Sequence, residues 1–357
     1  MLNDLLIFAA TSSGYCMLYS VDGREISQIS PPINFLPGLN LGFTFYEDRI
    51  WFDAFDGAQT HIWSTDGVEI RREFTTFGID NRHSLHSSEG VLTLFSENQI
   101  TIISENNSTI AGSFTNLSIS NDVMIYNSNG IILGGNNIGG ELHSKVEFHD
   151  GIYYFLATSD NYGIELHSSN GFNLLRLSDS LSSISSNDLE PTYADGSIFF
   201  SSGELFAYNI DNSTSYSLNN DLQVAGKNAI FFEGRVWFPC YIANYGVEVC
   251  ASNSLNATIV SDFANGFMSS NPKLFSTYEN KLFAILEDEN GGGVLCEITE
   301  NSITEVYDHD TGALVSGNRG DLWFNDNYAY FIGDTTNHGT ELFAWSHGTL
   351  TGDWIII

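Results

Sequence analysis

The sequence predicts an all-β chain, a β-propeller of about eight four-stranded antiparallel blades, with seven or nine as the neighbouring counts. Three observations predict it. The composition, with 33 Gly, 6 Pro, 13% aromatic and 16% charged residues, suits strands and turns rather than helices. Apolar residues alternate in short runs, as in Tyr328, Tyr330 and Ile332, which is the period of a half-buried strand. A short acidic or Asn turn feeding an apolar run recurs at intervals of about 38 to 47 residues, the length of one four-stranded blade.

In chain order these turns precede Leu5–Phe8, Ile50–Phe52, Val91–Phe95, Ile131–Leu133, Ile152–Phe155, Ile198–Phe200, Val236–Phe238, Leu282–Phe283 and Tyr328–Phe331. Asp-Gly and Asn-Gly pairs such as Asn129-Gly130, Asp150-Gly151 and Asp195-Gly196 are what a two-residue hairpin asks for, because both central positions need positive φ. Each is therefore read as a first hairpin. A loop closing on Gly then enters a second strand at Gly140-Glu141-Leu142, Gly163-Ile164-Glu165-Leu166, Gly246-Val247-Glu248-Val249 and Gly339-Thr340-Glu341-Leu342. Further turns follow at Asp22-Gly23, Asp66-Gly67, Asn170-Gly171 and His347-Gly348.

The interval from Gly130 to Gly151 is only about half a period, so the zone from Ser96 to Lys145 is irregular. No Pro-rich or charged linker divides the chain, and residues 1–357 are read as one propeller domain. A lone meander cannot cover both of its apolar faces, whereas stacked meanders bury them on each other. Trp51, Tyr153, Phe155, Phe199, Trp237 and Tyr330 supply those faces.

Twelve Lys plus Arg against 44 Asp plus Glu give a net charge of −32. Such a field repels phosphate backbones and anionic lipid, which excludes nucleic acid and membrane surfaces as expected partners. No apolar stretch reaches the roughly 18 to 20 residues that span a bilayer. The apolar run after Met1 has no basic residue before it and reads as a strand rather than a signal peptide. Four cysteines without CxxC spacing do not make the pattern of a thiolate metal site. Cys240 and Cys250 flank a loop between neighbouring strands, where a bridge and two buried thiols are both open.

Gly339-Thr340-Glu341-Leu342-Phe343 with Ser346-His347-Gly348-Thr349, His61-Ile62-Trp63-Ser64-Thr65-Asp66-Gly67, and Ser269-Ser270-Asn271-Pro272 before Lys281-Leu282-Phe283 resemble the ELWxxDGT repeat family. Its Trp survives at Trp63, and its Asp-Gly is replaced by Asn-Gly or His-Gly elsewhere. The resemblance touches most of the chain and implies a propeller-like surface or secreted protein, without implying a reaction.

The repeated Glu141, Glu165, Glu248 and Glu341 could ring a channel as a cation site, or each could cap backbone groups at a strand entry. Repetition alone accounts for the pattern, so capping is expected. Asp308 and Asp310, in Asp-His-Asp-Thr-Gly, could begin the oxygen shell of a calcium site, although an Asp-rich turn is the commoner origin of such a run. His143 and His167 follow Glu-Leu in two units and are read as repeat-equivalent strand residues. No catalytic residue is assigned: HExxH, GxSxG and P-loop patterns are missing from the sequence. The expected function is a non-catalytic structural or recognition module, outside a cell or on a particle, that binds protein or glycan and assembles with other subunits. A phage or virus structural component and a propeller glycan-processing enzyme with paired carboxylates are the alternatives.

Overall fold

A computed structural model describes residues 5–12, 15–22, 25–30, 36–37, 43–55, 60–75, 83–88, 91–96, 99–103, 108–111, 114–121, 123–159, 163–179, 189–202, 204–226, 228–253, 256–288, 293–306, 322–324, 328–335, 339–346 and 354–356. The fold is all-β and of β-propeller type: consecutive strands pair antiparallel into successive meanders. Among the described residues no helix is long and apolar enough to cross a membrane. The chain divides into two compact units, Met1–Gly134 and Gly135–Ile357. The boundary falls in the zone where the sequence repeat is irregular.

The expected array of about eight four-stranded blades does not form: among the described residues the sheets carry three, four, five and eight strands. Two physical causes account for this. Where the first strand of a meander is interrupted, both pieces pair with the same neighbour. Leu36–Pro37 and Thr44–Tyr46 both line Arg49–Phe55, and Glu141–Leu142 and Glu147–His149 both line Ile152–Thr158. Where the chain passes from one meander to the next without turning aside, two meanders fuse. Thr214–Val224 closes one meander through Thr214 to Asn219, paired with Leu205 to Asn209, and opens the next through Leu222 to Val224, paired with Cys240 to Ile242.

The two-residue hairpins are where the turn chemistry places them. Asp150 and Gly151 (φ 47° and 81°), Asp195 and Gly196 (45° and 74°), and Glu233 and Gly234 (49° and 77°) have the paired positive φ of a type I′ turn. Glu47-Asp48 (48° and 58°) and Glu279-Asn280 (45° and 58°) adopt the same turn without glycine. Asn129-Gly130 is different in rank. It joins Val123–Asn127 to Ile131–Leu133, after the second strand of its meander rather than before it. That misplaced mark is the origin of the apparent half period.

Burial follows the alternation. In unit 2, Val236, Phe238 and Cys240 of Arg235–Ile242 pack with Phe199, Leu205 and Ala207. Trp237, pointing the other way, packs with Leu282, Ala284 and Leu286 of the following meander. One strand is thus buried on both faces, as stacked blades require. Trp237, Phe155, Phe199 and Tyr330 are almost wholly buried, and each such ring contributes about 1.5–3 kcal/mol relative to exposure. In unit 1, Ile7 and Leu18 pack on Ile50, Phe52 and Ala54.

A further regularity is invisible in the residue types. Backbone N–H groups of Ile29, Ile103, Leu177, Val260 and Val306 donate to the carbonyls of Leu18, Leu92, Leu166, Val249 and Leu295. The two partners are always the same number of positions apart, so one hairpin geometry recurs in five sheets. The indole N–H groups of Trp51 and Trp237 likewise donate to the carbonyls of Tyr46 and Phe232, at 3.1 and 3.0 Å, across equivalent turns.

Cys240 and Cys250 form a disulfide between adjacent strands, with Cα atoms 5.7 Å apart and both residues fully buried. The register places Cys240 opposite Glu248 and Cys250 opposite Phe238, so the bridge is diagonal. Cys296 is a free thiol, and burial pushes its pKa up, which keeps it protonated and inert.

Candidate functional site

Of the repeated glutamates, Glu248 and Glu165 are buried and Glu141 is exposed. Glu248, in Gly246–Ser252, is fully buried. Its Oε1 accepts the backbone N–H of Ser270 at 3.0 Å, and its Oε2 accepts the Ser270 hydroxyl at 2.7 Å and the Phe263 N–H at 3.2 Å. Burial raises its pKa above the usual carboxylate range, while the bonds from Ser270 and Phe263 pull it back down. The Ser269 hydroxyl accepts the Val247 N–H at 2.9 Å. The Gly-x-Glu strand entry and the Ser-Ser-Asn-Pro stretch therefore fasten to each other, as a cap requires.

Glu165 is also buried, and its Oε2 accepts the Ser178 hydroxyl at 2.5 Å, while that hydroxyl accepts the Leu166 N–H at 2.9 Å. Glu248 thus caps backbone groups directly, whereas Glu165 holds the Ser178 hydroxyl that in turn caps the Leu166 N–H. Glu141 is exposed and lies opposite Thr158, in the first strand of the same sheet whose Ile164–Ser169 strand carries Glu165. This corrects the reading of Glu141-Leu142-His143 as a second-strand entry and of His143 and His167 as repeat-equivalent. Local periodicity marks a strand but not its rank in the meander. Glu341 pairs opposite Gly333.

His167 is fully buried, with Nδ1 2.9 Å from the Glu165 carbonyl and Nε2 2.8 Å from the Ser159 hydroxyl. Burial lowers its pKa, so it is neutral near pH 7. Asp308 and Asp310 lie outside the described residues. Among the described residues no group of three or more His, Cys, Asp or Glu is arranged to hold a metal ion.

The Asp-Gly and Asn-Gly turns are built alike. Asp66 Oδ1 accepts the N–H of Val68 at 3.0 Å and Asn170 Oδ1 that of Phe172 at 3.2 Å, while Thr65 and Ser169 hydroxyls accept the N–H of Gly67 and Gly171. The N–H groups of Glu69 and Val68 hold the Asp66 carboxyl down to about 2, with Arg49 adding a smaller pull. These fastened tips present Val68 and Phe172, 78% and 73% exposed. The loop that Glu248 fastens presents Phe267, 82% exposed, beside Met268.

Asp53 was not singled out by the sequence. It sits in Arg49–Phe55, 5% exposed, and burial raises its carboxyl to about 6. A carboxyl raised in the folded state binds protons more tightly there than in the unfolded chain. Its stabilising contribution is full below the unfolded value of 3.8 and is lost as pH rises through about 6. Asp53→Asn is expected to be more stable than the wild type at pH 7 and to remove that slope, read by urea unfolding at several pH values. An unchanged slope would contradict it.

In unit 2 a cleft of about 340 Å³ is lined by Asp179, Phe206, Ser215, Tyr216 and Ser217. Phe206 stands opposite Ser217 and Tyr208 opposite Ser215, so these side chains share a face. The register slips on both sides of Leu205, which parts the strands beside the cleft. Phe206 stacks on Phe200 with ring centroids 5.6 Å apart. Asp179 is held by Arg176 Nη1 at 3.0 Å, and the Ser217 hydroxyl donates to Glu204 Oε2 at 3.3 Å. Of the other described arginines with ion pairs, Arg49 pairs with Asp66 and Arg71 with Glu69 inside one sheet, while Arg235 reaches Glu300 of the next sheet.

No family model and no curated protein matches the chain. Solved structures do. The computationally designed Ika8 protein is 11% identical with a TM-score of 0.50, over 86% of this chain and 98% of that one. BamB from Moraxella catarrhalis is 12% identical with a TM-score of 0.51, over 98% and 93%. Puromycin hydrolase, at 11% identity and a TM-score of 0.48, is matched over 52% of its own length by 88% of this chain. At these identities the first two likenesses speak for the fold alone.

Proposed function

We propose that the protein is a non-catalytic recognition module, displayed outside a cell or on a particle, that takes a protein or glycan on its loop tips. The carrying observation is the exposure of Phe267, Val68 and Phe172 on tips whose backbones are hydrogen-bonded in place. Large apolar residues held rigidly in solvent add nothing to a core, and pre-organised apolar anchors are what a binding surface needs. The buried Cys240–Cys250 disulfide supports an oxidising compartment. The resemblance to the ELWxxDGT repeats supports the same location.

The test is a glycan array, with the same glycans incubated to detect released reducing ends. Binding of at least one glycan, lost in Phe267→Ser or Phe172→Ser with an unchanged melting temperature, is expected. Release of reducing ends would overturn the non-catalytic reading.

A further inference from the structure

We infer that the cleft at Phe206 is a subsite for a neutral sugar, of mono- or disaccharide size. The inference rests on the recognition reading and gives it a ligand class. A volume of about 340 Å³ lies at the small end of small-molecule sites, about 300–1,000 Å³. Phe206 offers an aromatic surface, and its ring is braced by Phe200. A pyranose presents a face of C–H groups that suits such a surface and a rim of hydroxyls that needs hydrogen-bonding partners. Ser215, Ser217 and Asp179 supply that rim.

Charge narrows the class further. A net charge of −32 opposes acidic sugars and phosphorylated ligands. The Arg176 guanidinium already compensates the Asp179 carboxylate, so the cleft's own acid is not the contact that would select an amine. What remains is an uncharged polyol with one apolar face. The double register slip at Leu205 is a second, independent mark, since bulges re-aim side chains and cluster beside binding sites.

The experiment is saturation-transfer NMR on the full chain with lactose, maltose, cellobiose and chitobiose. Transfer to at least one is expected, with affinity falling about tenfold in Phe206→Ala. Because Phe206 is partly packed, Ser215→Trp is the companion variant: the exposed Ser215 carries no core, so the new ring fills the cleft and should abolish transfer at an unchanged melting temperature. No transfer from any of the four sugars would overturn the inference. So would transfer that survives both variants, which would leave the recognition reading standing with its site elsewhere. Reducing-end release blocked by Ser215→Trp would support the cleft while overturning the non-catalytic reading.

Discussion

Glu248→Ala is expected to lower the unfolding free energy by about 3–5 kcal/mol at pH 7, measured by urea or guanidinium unfolding. The substitution strips acceptors from the Ser270 N–H, the Ser270 hydroxyl and the Phe263 N–H. Each buried donor left without a partner costs about 1–3 kcal/mol. The upper part of that sum is not reached, because removing a buried carboxylate also removes its desolvation cost. Glu248→Gln keeps one acceptor oxygen and should lose clearly less. The exposed Glu204→Ala should lose little. Equal losses in Glu248→Ala and Glu204→Ala would remove Glu248 from its role as a cap.

Gly246→Ala should cost about 3 kcal/mol or more at the same strand entry. Its φ is 74°, and a Cβ there would stand 2.3 Å from the Met268 carbonyl oxygen and 2.8 Å from the Ser269 hydroxyl oxygen. A left-handed conformation costs an L-residue about 1–2 kcal/mol, and forcing a packed backbone apart adds about 1–3 kcal/mol. Gly171 has φ 93° but open space around its missing Cβ, so Gly171→Ala separates the first term from the second. The melting-temperature losses should rank Gly246→Ala above Gly171→Ala. The reverse order would show that Met268 does not pack against the strand entry.

The turn chemistry was legible because it is local. Asp150-Gly151, Asp195-Gly196 and Glu233-Gly234 fix their own φ values, and the sequence places each hairpin correctly. Capping by Glu248 was legible from repetition, although its Ser270 partner and the bond of Glu165 to the Ser178 hydroxyl were not. The strand count was not legible. Whether a first strand runs unbroken or splits, as at Glu141–Leu142 and Glu147–His149, depends on pairing with a neighbour rather than on residue type. Asn129-Gly130 carries the same dipeptide signal as a first hairpin and occupies a later one. Asp53 escaped notice because the burial of one acid in a chain with 44 of them is a property of packing. The Phe206 cleft joins Asp179 to residues about thirty positions on, and no local pattern reports such a meeting.

The continuous strand Thr214–Val224 has a consequence for how the chain comes apart. In an array of separate repeats each unit melts against its neighbours through side-chain packing alone, and the ends fray first. Here one strand of eleven residues holds backbone bonds to one meander mainly through its first half and to the other through Leu222–Val224, so opening either meander frays the strand that both share. The strands of this sheet between Thr192 and Ile259 are therefore expected to open as one cooperative block, with hydrogen exchange showing their amides released together rather than in two steps.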